Sequence, residues 1–267
     1  MSQTPVKLSV RSISKSFRVQ GGGKEEQYLR VLQNVSFDVA QGKIVSLIGE
    51  SGCGKTTLLR IVQGLVRLDS GSVRVDGTEV AAPGRDRGFV FQQASLLPWR
   101  TARRNVEFGL ELQGMGKAER QARAMNLLEL VGLAHAAEQL PYQLSGGMQQ
   151  RVGLARALAI DPAILLMDEP FSALDAQNRE ILQGELLRIH DKTGKTTLFV
   201  THDLDEAIYL SDQVIALAAR PGRVKQVIDI PFEHPRAPLP QLRGDPLFQD
   251  IRGQLWSLIR TPSAAAA

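Results

Sequence analysis

The strongest constraint in this chain is the run Gly49-Glu50-Ser51-Gly52-Cys53-Gly54-Lys55-Thr56-Thr57. Ile44-Val45-Ser46-Leu47-Ile48 precedes it and Leu58-Leu59-Arg60-Ile61-Val62 follows it. A strand that runs into a glycine-rich turn and out into a helix is the context in which G-x-x-x-x-G-K-[ST] binds phosphate. Glycine reaches φ > 0 without steric penalty, so successive backbone N–H groups can converge on one anion. The helix opening near Lys55 adds the positive end of its dipole at the same place. In such a loop Lys55 reaches the β- and γ-phosphates, and the Thr56 hydroxyl ligates Mg²⁺. A nucleoside triphosphate is therefore the expected ligand.

The 267 residues suffice for one large α/β domain or two small ones with a proper core. A hydrophobic share of 43% against 22% charged excludes a disordered chain. No apolar run approaches the roughly 20 residues that cross a bilayer. Met1-Ser2-Gln3-Thr4-Pro5 lacks the layout of a secretory signal, so a cytoplasmic location is expected. The single Cys53 excludes an intrachain disulfide framework, and inside the phosphate loop it reads as a small filler rather than a reactive thiol. A net charge of +4 and a pI near 9.4 permit nucleic acid or an anionic membrane as partner without demanding either. The excess is spread out, with no block of about five or more like charges.

Val6-Lys7-Leu8-Ser9-Val10-Arg11-Ser12-Ile13 alternates apolar and polar residues and reads as a half-buried strand, and a second strand runs from Val31 to Val39. Phe17, between the two, suits stacking on a purine or packing on the sheet, and the residues alone leave both open. Gly21-Gly22-Gly23 reads as a flexible link. Ser72-Val73-Arg74-Val75 and Gly88-Phe89-Val90-Phe91 read as further strands, the second ending at Gln92. Leu96-Leu97-Pro98-Trp99-Arg100 is an apolar knuckle expected at the surface. Residues 102–131 have helical spacing broken at Gly114 and Gly116.

Ser145 is a good N-cap, and Met148, Val152, Ala155 and Ala159 mark one face of the helix it opens. A helix beginning just after Ser145-Gly146-Gly147, with small residues around its N-terminus, is a second anion site by the same physics as the first. Ala163-Ile164-Leu165-Leu166-Met167 is continuously apolar, as in a parallel strand buried on both faces. Asp168 and Glu169 end it, where open α/β sheets place their ligands. Asp168 suits a Mg²⁺ position, and Glu169 suits a base that polarises the attacking water; a plain charged turn is the alternative. Residues 177–191 read as a helix. Thr196-Thr197-Leu198-Phe199-Val200 is another buried strand and ends at Thr201-His202-Asp203, where a neutral imidazole can hydrogen-bond a γ-phosphate oxygen. Asp203, Asp205 and Glu206 read as the acidic first turn of a helix rather than a metal cluster. His135, His190 and His234 are expected at the surface. Gly194-Lys195-Thr196-Thr197 repeats the tetrapeptide of the phosphate loop, but it stands between helix and strand and is a turn. Val214-Ile215-Ala216-Leu217 and a run from Val224 to Ile230 close the strand pattern. Beyond Pro231 the chain is proline-rich, with a last helix around Leu247 to Ile259 and an alanine-rich end.

Together, and in this order, these residues resemble the ATP-binding subunit of an ATP-binding cassette (ABC) transporter over about residues 6 to 230. Gly49 to Thr57 matches the Walker A loop, and Ile164 to Asp168 followed by Glu169 matches the Walker B strand. Leu144-Ser145-Gly146-Gly147-Met148-Gln149 matches the signature, Ser172-Ala173-Leu174-Asp175 the D-loop, Gln92 the Q-loop and His202 the switch histidine. The resemblance implies an α/β P-loop NTPase core, RecA-like, with a mainly parallel sheet, an antiparallel β-subdomain and an α-helical subdomain carrying the signature. It implies a nucleotide-binding domain over 1–231 and a C-terminal extension over 232–267 to which no role is assigned.

The same resemblance implies ATP and Mg²⁺ as ligands. Phe17 would stack on adenine. Gly49, Glu50, Ser51, Gly52, Cys53, Gly54, Lys55, Thr56 and Thr57 would hold the phosphates, with Gln92 and Asp175 beside them. Mg²⁺ would sit on Thr56, Gln92 and, through water, Asp168. Lys55, Glu169 and His202 would carry the chemistry. Two such chains would form a head-to-tail homodimer, or pair with a closely related subunit, in which Ser145, Gly146 and Gly147 of one complete the ATP site of the other.

Pro83-Gly84-Arg85-Asp86-Arg87-Gly88-Phe89-Val90-Phe91-Gln92, the Leu96-Leu97-Pro98-Trp99 knuckle and Ala218-Ala219-Arg220-Pro221-Gly222-Arg223 are similar to importers of the nitrate, sulfonate and taurine group. That similarity implies uptake of a small anionic solute and two membrane permease subunits contacted near the knuckle. It further implies a separate solute-binding protein, a location on the cytoplasmic face of the membrane and no nucleic-acid partner. Glu50 departs from the group, which carries proline there. The other class of reading is a soluble ABC-type ATPase acting on nucleic acid or ribosomes. It is favoured only by the basic pI and disfavoured by a single cassette with no coiled-coil insert.

Overall fold

The structure, a computed structural model, describes residues 4–19 and 27–260. The Gly21-Gly22-Gly23 link and the alanine-rich end lie outside the described residues. The chain opens with strands β1 (Val6–Val19), β2 (Gln27–Ala40) and β3 (Ile44–Ile48), helix α1 (Lys55–Gln63), and strands β4 (Ser70–Val75) and β5 (Thr78–Glu79). Strand β6 (Arg87–Val90), helices α2 (Ala102–Leu112), α3 (Lys117–Leu130) and α4 (Gly146–Ala159), strand β7 (Ile164–Asp168) and helix α5 (Ala176–Thr193) follow. Then come β8 (Thr196–Val200), α6 (Leu204–Leu210), β9 (Gln213–Ala218), β10 (Arg223–Asp229), α7 (Leu239–Arg243) and α8 (Pro246–Arg260). They fall into two compact units, residues 1–84 with 196–267, and residues 85–195.

The first unit holds the phosphate loop. Its strand β3 pairs in parallel with β8 on one side and β9 on the other, and β10 closes antiparallel on β9. Every residue of β3 and β8 is buried, which is why both read as unbroken apolar runs rather than alternations. A second, antiparallel sheet has the order β2-β1-β4-β5. Leu8 and Val10 point to its core at 0% exposure, as the alternation requires, and the register shift between Val10 and Ile13 brings Ile13 to 0% exposure as well. Strand β1 does not stop at Ile13, because β2 pairs with it as far as Val19 and places Phe17 opposite Leu29. Phe17 is thus a strand residue, not a residue between strands. Asp69 pins this continuation by accepting from Lys15 Nζ at 2.7 Å and from the Ser16 amide at 2.6 Å.

In the same unit α8 buries Phe248, Ile251 and Leu255, with α6 and β9 among its packing partners. The expected C-terminal helix is present. Helix α7 before it gives no periodic signal over its few residues.

In the second unit β6 and β7 run parallel, Gly88 opposite Leu165. The helical stretch over 102–131 is broken into α2 and α3 between Leu112 and Lys117, as Gly114 and Gly116 predict. Helix α2 approaches the end of α4 so closely that a Cβ on Gly109 would lie 2.4 Å from Ile160 Cγ2. The knuckle is tied down by Asn105, which is fully buried. Its Oδ1 accepts from the Leu97 amide at 2.7 Å, and its Nδ2 donates to the carbonyls of Arg100 and Thr101 at 2.9 and 3.0 Å. Trp99 is left 72% exposed.

His190 corrects the expectation of a surface residue. It lies in the last turn of α5 at 8% exposure, with Nδ1 3.1 Å from the Lys195 carbonyl. His135 is exposed as expected, while His234 is partly covered and lies 3.7 Å from Asp212. Among the described residues no helix is long and apolar enough to cross a membrane.

Candidate nucleotide-binding site

The loop after β3 takes its shape from three glycines, Gly49, Gly52 and Gly54, with φ of +155°, +79° and +97°. L-residues are strained there, so the turn demands glycine. A Cβ on Gly49 would also lie 2.8 Å from both Cys53 Sγ and the Leu217 carbonyl. Gly54 is the N-cap of α1, and its carbonyl accepts from the Leu58 amide at 2.8 Å. Lys55 opens the helix with its ammonium folded onto the loop, donating to Gly49 O at 2.7 Å and Glu50 O at 3.2 Å. It is 7% exposed, so its charge is concentrated inside the loop rather than spread into water. Glu50, Ser51 and Gly52 form the exposed tip, and Thr56 and Thr57 are half-buried. Cys53 is fully buried, and burial pushes its thiol up even though Lys55 Nζ stands 3.9 Å away. A protonated, inaccessible thiol is a filler, not a nucleophile.

Strand β2 and the turn before β10 wall this loop. Val31 Cγ1 and Leu32 Cδ2 of β2 would lie 3.1 and 2.6 Å from a Cβ on Gly54. Gly222, in the turn before β10, bridges the same strand: its amide donates to Val31 O at 2.8 Å and its carbonyl accepts from the Gln33 amide at 2.9 Å. Gly222 carries a part of the site that the sequence did not reveal. Its motif marks a subgroup, but nothing local says that it touches the loop. Phe17 is 38% exposed on β1, with Lys15 Nζ 5.2 Å from its ring centroid. His202 follows β8 and is exposed, between buried Thr201 and the N-cap Asp203.

The second unit holds the carboxylates and the signature. Asp168 ends β7, and both it and Glu169 are half-buried. Glu169 has φ +45°, a left-handed conformation that costs a non-glycine residue on the order of 1 kcal/mol or more and that clusters at functional sites. Ser172 supports the turn by donating to the Glu169 carbonyl at 2.9 Å, and Gln92 Nε2 donates to Ser172 Oγ at 3.1 Å. With the nitrogen of Gln92 so committed, its amide oxygen is the end left for a cation. The Gln92 amide oxygen and the Asp168 carboxylate are hard oxygen donors of the kind Mg²⁺ takes, and the Thr56 hydroxyl in the first unit is a donor of the same chemistry.

Ser145 caps α4, its hydroxyl accepting from the Met148 amide at 3.3 Å. Gln149 Nε2 ties the preceding turn to the helix through the carbonyls of Pro141 and Leu144, at 2.9 and 3.2 Å. A Cβ on Gly146 or Gly147 would meet only Leu174 at 3.7 Å or Leu182 at 3.5 Å, both ordinary contacts. Neither glycine is needed by the packing of its own chain. Asp175 caps α5: it accepts from the Asn178 amide at 3.0 Å and from Asn178 Nδ2 at 2.6 Å, and these bonds hold its carboxyl below the usual range.

The ABC transporter family model matches residues 32–172. An uncharacterised ABC transporter ATP-binding protein of Methanocaldococcus jannaschii is 53% identical over 231 residues, which span 86% of this chain and 85% of that protein. A taurine import ATP-binding protein of Rhizobium johnstonii is 46% identical over 236 residues, covering 87% of this chain and 90% of that one. Among solved structures, a dimeric ATP-binding cassette in a post-hydrolysis state bound to ADP and Pi superposes with a TM-score of 0.72 at 34% identity, covering 84% of this chain and 98% of that chain. The chain belongs to the ABC transporter family, as an ATP-hydrolysing ATP-binding cassette of the nitrate, sulfonate and taurine type.

Proposed function

We propose that this chain is the ATP-hydrolysing subunit of an importer for a small anionic, taurine-like solute, bound to the cytoplasmic face of the membrane through permease subunits. The observation that carries this reading is the presence of two anion-shaped helix starts on one chain. One is the phosphate loop that opens α1. The other is the start of α4, with Ser145 and Gly146 exposed and Gly147 half-buried, where glycines unneeded by internal packing leave room for a ligand from outside. A head-to-tail homodimer uses both. Relatives that import taurine support the solute class, and none of the named relatives points to nucleic acid.

In this reading Lys55 and the amides from Gly49 to Thr57 bind the β- and γ-phosphates. Phe17 stacks on adenine, and Ser145, Gly146 and Gly147 of the second copy close on the γ-phosphate. Glu169 polarises the attacking water, its carboxylate aimed by the left-handed turn that Ser172 and Gln92 support. His202 hydrogen-bonds the γ-phosphate and registers its loss. Thr56, Gln92 and Asp168 would hold Mg²⁺, which when bound supplies charge neutralisation at the phosphate oxygens. Trp99 and its knuckle would meet the permease.

The test is Glu169→Gln. Nucleotide affinity should stay within about twofold, while turnover falls on the order of 10²–10⁴-fold, the usual worth of a general base. Undiminished turnover would sink the assignment.

A further inference from the structure

Helix α6 starts two residues after His202, and the segment after Pro231 grips it at both ends. At the start, Asp205 accepts from Arg243 Nε and from Arg252 Nε, each at 2.8 Å. Arg243 is the last residue of α7, and Arg252 lies in α8. At the far end, the Arg236 guanidinium donates to the carbonyls of Ile208, Tyr209 and Ser211 at 2.6, 2.7 and 2.5 Å. Carbonyls at a helix C-terminus have no intrahelical donor, so this one side chain does the work of a cap. Phe248, Ile251 and Leu255 of α8 bury the apolar side of the same assembly.

The gripped helix is continuous with the histidine. Thr201 Oγ1 donates to Glu206 Oε2 at 2.5 Å, in a pair that is 1% and 5% exposed. The Asp203 amide donates to Thr201 Oγ1 at 3.0 Å, and Asp203 in turn accepts from the amides of Asp205 and Glu206 at 2.9 and 3.1 Å. The residues on either side of His202 are therefore locked to the first turn of α6, and that turn is locked to α7 and α8.

We infer that residues 232–260 are a brace that sets the position of His202, with Asp205, Arg236, Arg243 and Arg252 as its positioning residues. The inference rests on the proposed role of His202 at the γ-phosphate. The effects on stability and on rate separate cleanly. Arg243 and Arg252 are 41% and 50% exposed at the side chain, and ion pairs so exposed contribute little to stability. Misplacing a reacting group by about 1 Å costs on the order of 10²-fold in rate. A brace of this kind shows in turnover, not in folding.

The experiment uses the full chain and measures kcat, KM for ATP, affinity for a fluorescent ATP analogue and Tm. Arg243→Ala with Arg252→Ala, and separately Asp205→Asn, should lower kcat about tenfold or more, with KM and nucleotide affinity within about twofold. The paired substitutions Arg243→Lys and Arg252→Lys, which keep the charges, should recover most of the rate. In a His202→Ala background the brace variants should lower kcat no further, the non-additivity expected of residues acting through one group. Unchanged kcat in both brace variants beside a slow His202→Ala overturns the inference. So does a loss of kcat that comes with an equal loss of nucleotide affinity and Tm, or one that adds in full to that of His202→Ala. If His202→Ala itself keeps full turnover, the underlying role of His202 is wrong and the inference falls with it.

Discussion

The backbone of Gly222 lies against the phosphate loop so closely that a Cβ there would stand 2.1 Å from the Cys53 carbonyl oxygen. Real Cβ atoms do not approach backbone so closely, so a side chain at 222 must push either the loop or the turn before β10. The turn is held to β2 by two backbone hydrogen bonds, at 2.8 and 2.9 Å, and resists. Gly222→Ala should therefore weaken ATP binding at least tenfold and cost about 1–3 kcal/mol of stability, the usual range for overpacking. Titration with a fluorescent nucleotide beside a denaturant melt checks both. Unchanged affinity would show that the turn, not the loop, gives way.

Asp212 ties the start of β9 to the start of β3 by accepting from the Ile44 amide at 2.9 Å and from Lys43 Nζ at 2.8 Å. Burial pushes its carboxyl up, but the Lys43 bond, the Ile44 N–H and the nearby charges outweigh it and hold the group below the usual carboxylate range. A folded-state pKa below the unfolded value of about 3.9 favours the ionised form in the fold. The stability it contributes is present above about pH 4 and lost as pH falls through the folded value. Asp212→Asn should lower stability near pH 7 by about 1–3 kcal/mol and flatten the acid limb of the stability curve. Parallel acid limbs in the two proteins would contradict this.

What could be read in the sequence followed from how local each signal is. The phosphate loop, the signature start and the buried strands β3, β7 and β8 declare themselves within a few residues, through glycine spacing or unbroken apolar runs. The end of β1 is hidden in the sequence because its register shifts between Val10 and Ser16 break the alternation that marks a strand. His190 looked like a surface residue because the last turn of α5 is polar, yet the fold buries it. The C-terminal segment carried no legible role for a plainer reason: Asp205 meets Arg243 and Arg252 from 38 and 47 residues away, and no periodicity records such a meeting. From local sequence alone Asp205 shows only as an acidic first-turn residue.

Trp99 is held outward by the buried Asn105 beneath its loop and buries little against its own chain. Surface replacements of this kind usually stay within about 0.5 kcal/mol. Trp99→Ala should fold normally and keep the ATPase rate of the isolated chain, yet fail to support solute uptake with the permease subunits. Uptake assays in reconstituted vesicles decide. Normal uptake, or a chain that no longer folds, would return the indole to ordinary packing.

The central claim is that one chain holds half of each ATP site. Sedimentation of Glu169→Gln with saturating ATP and Mg²⁺ tests it most directly, because blocked turnover keeps the shared γ-phosphate contacts in place. The account predicts a dimer that appears with ATP and dissociates when Gly147 is also replaced by a bulkier residue. A chain that stays monomeric under these conditions, alone and with its permease subunits, would contradict it.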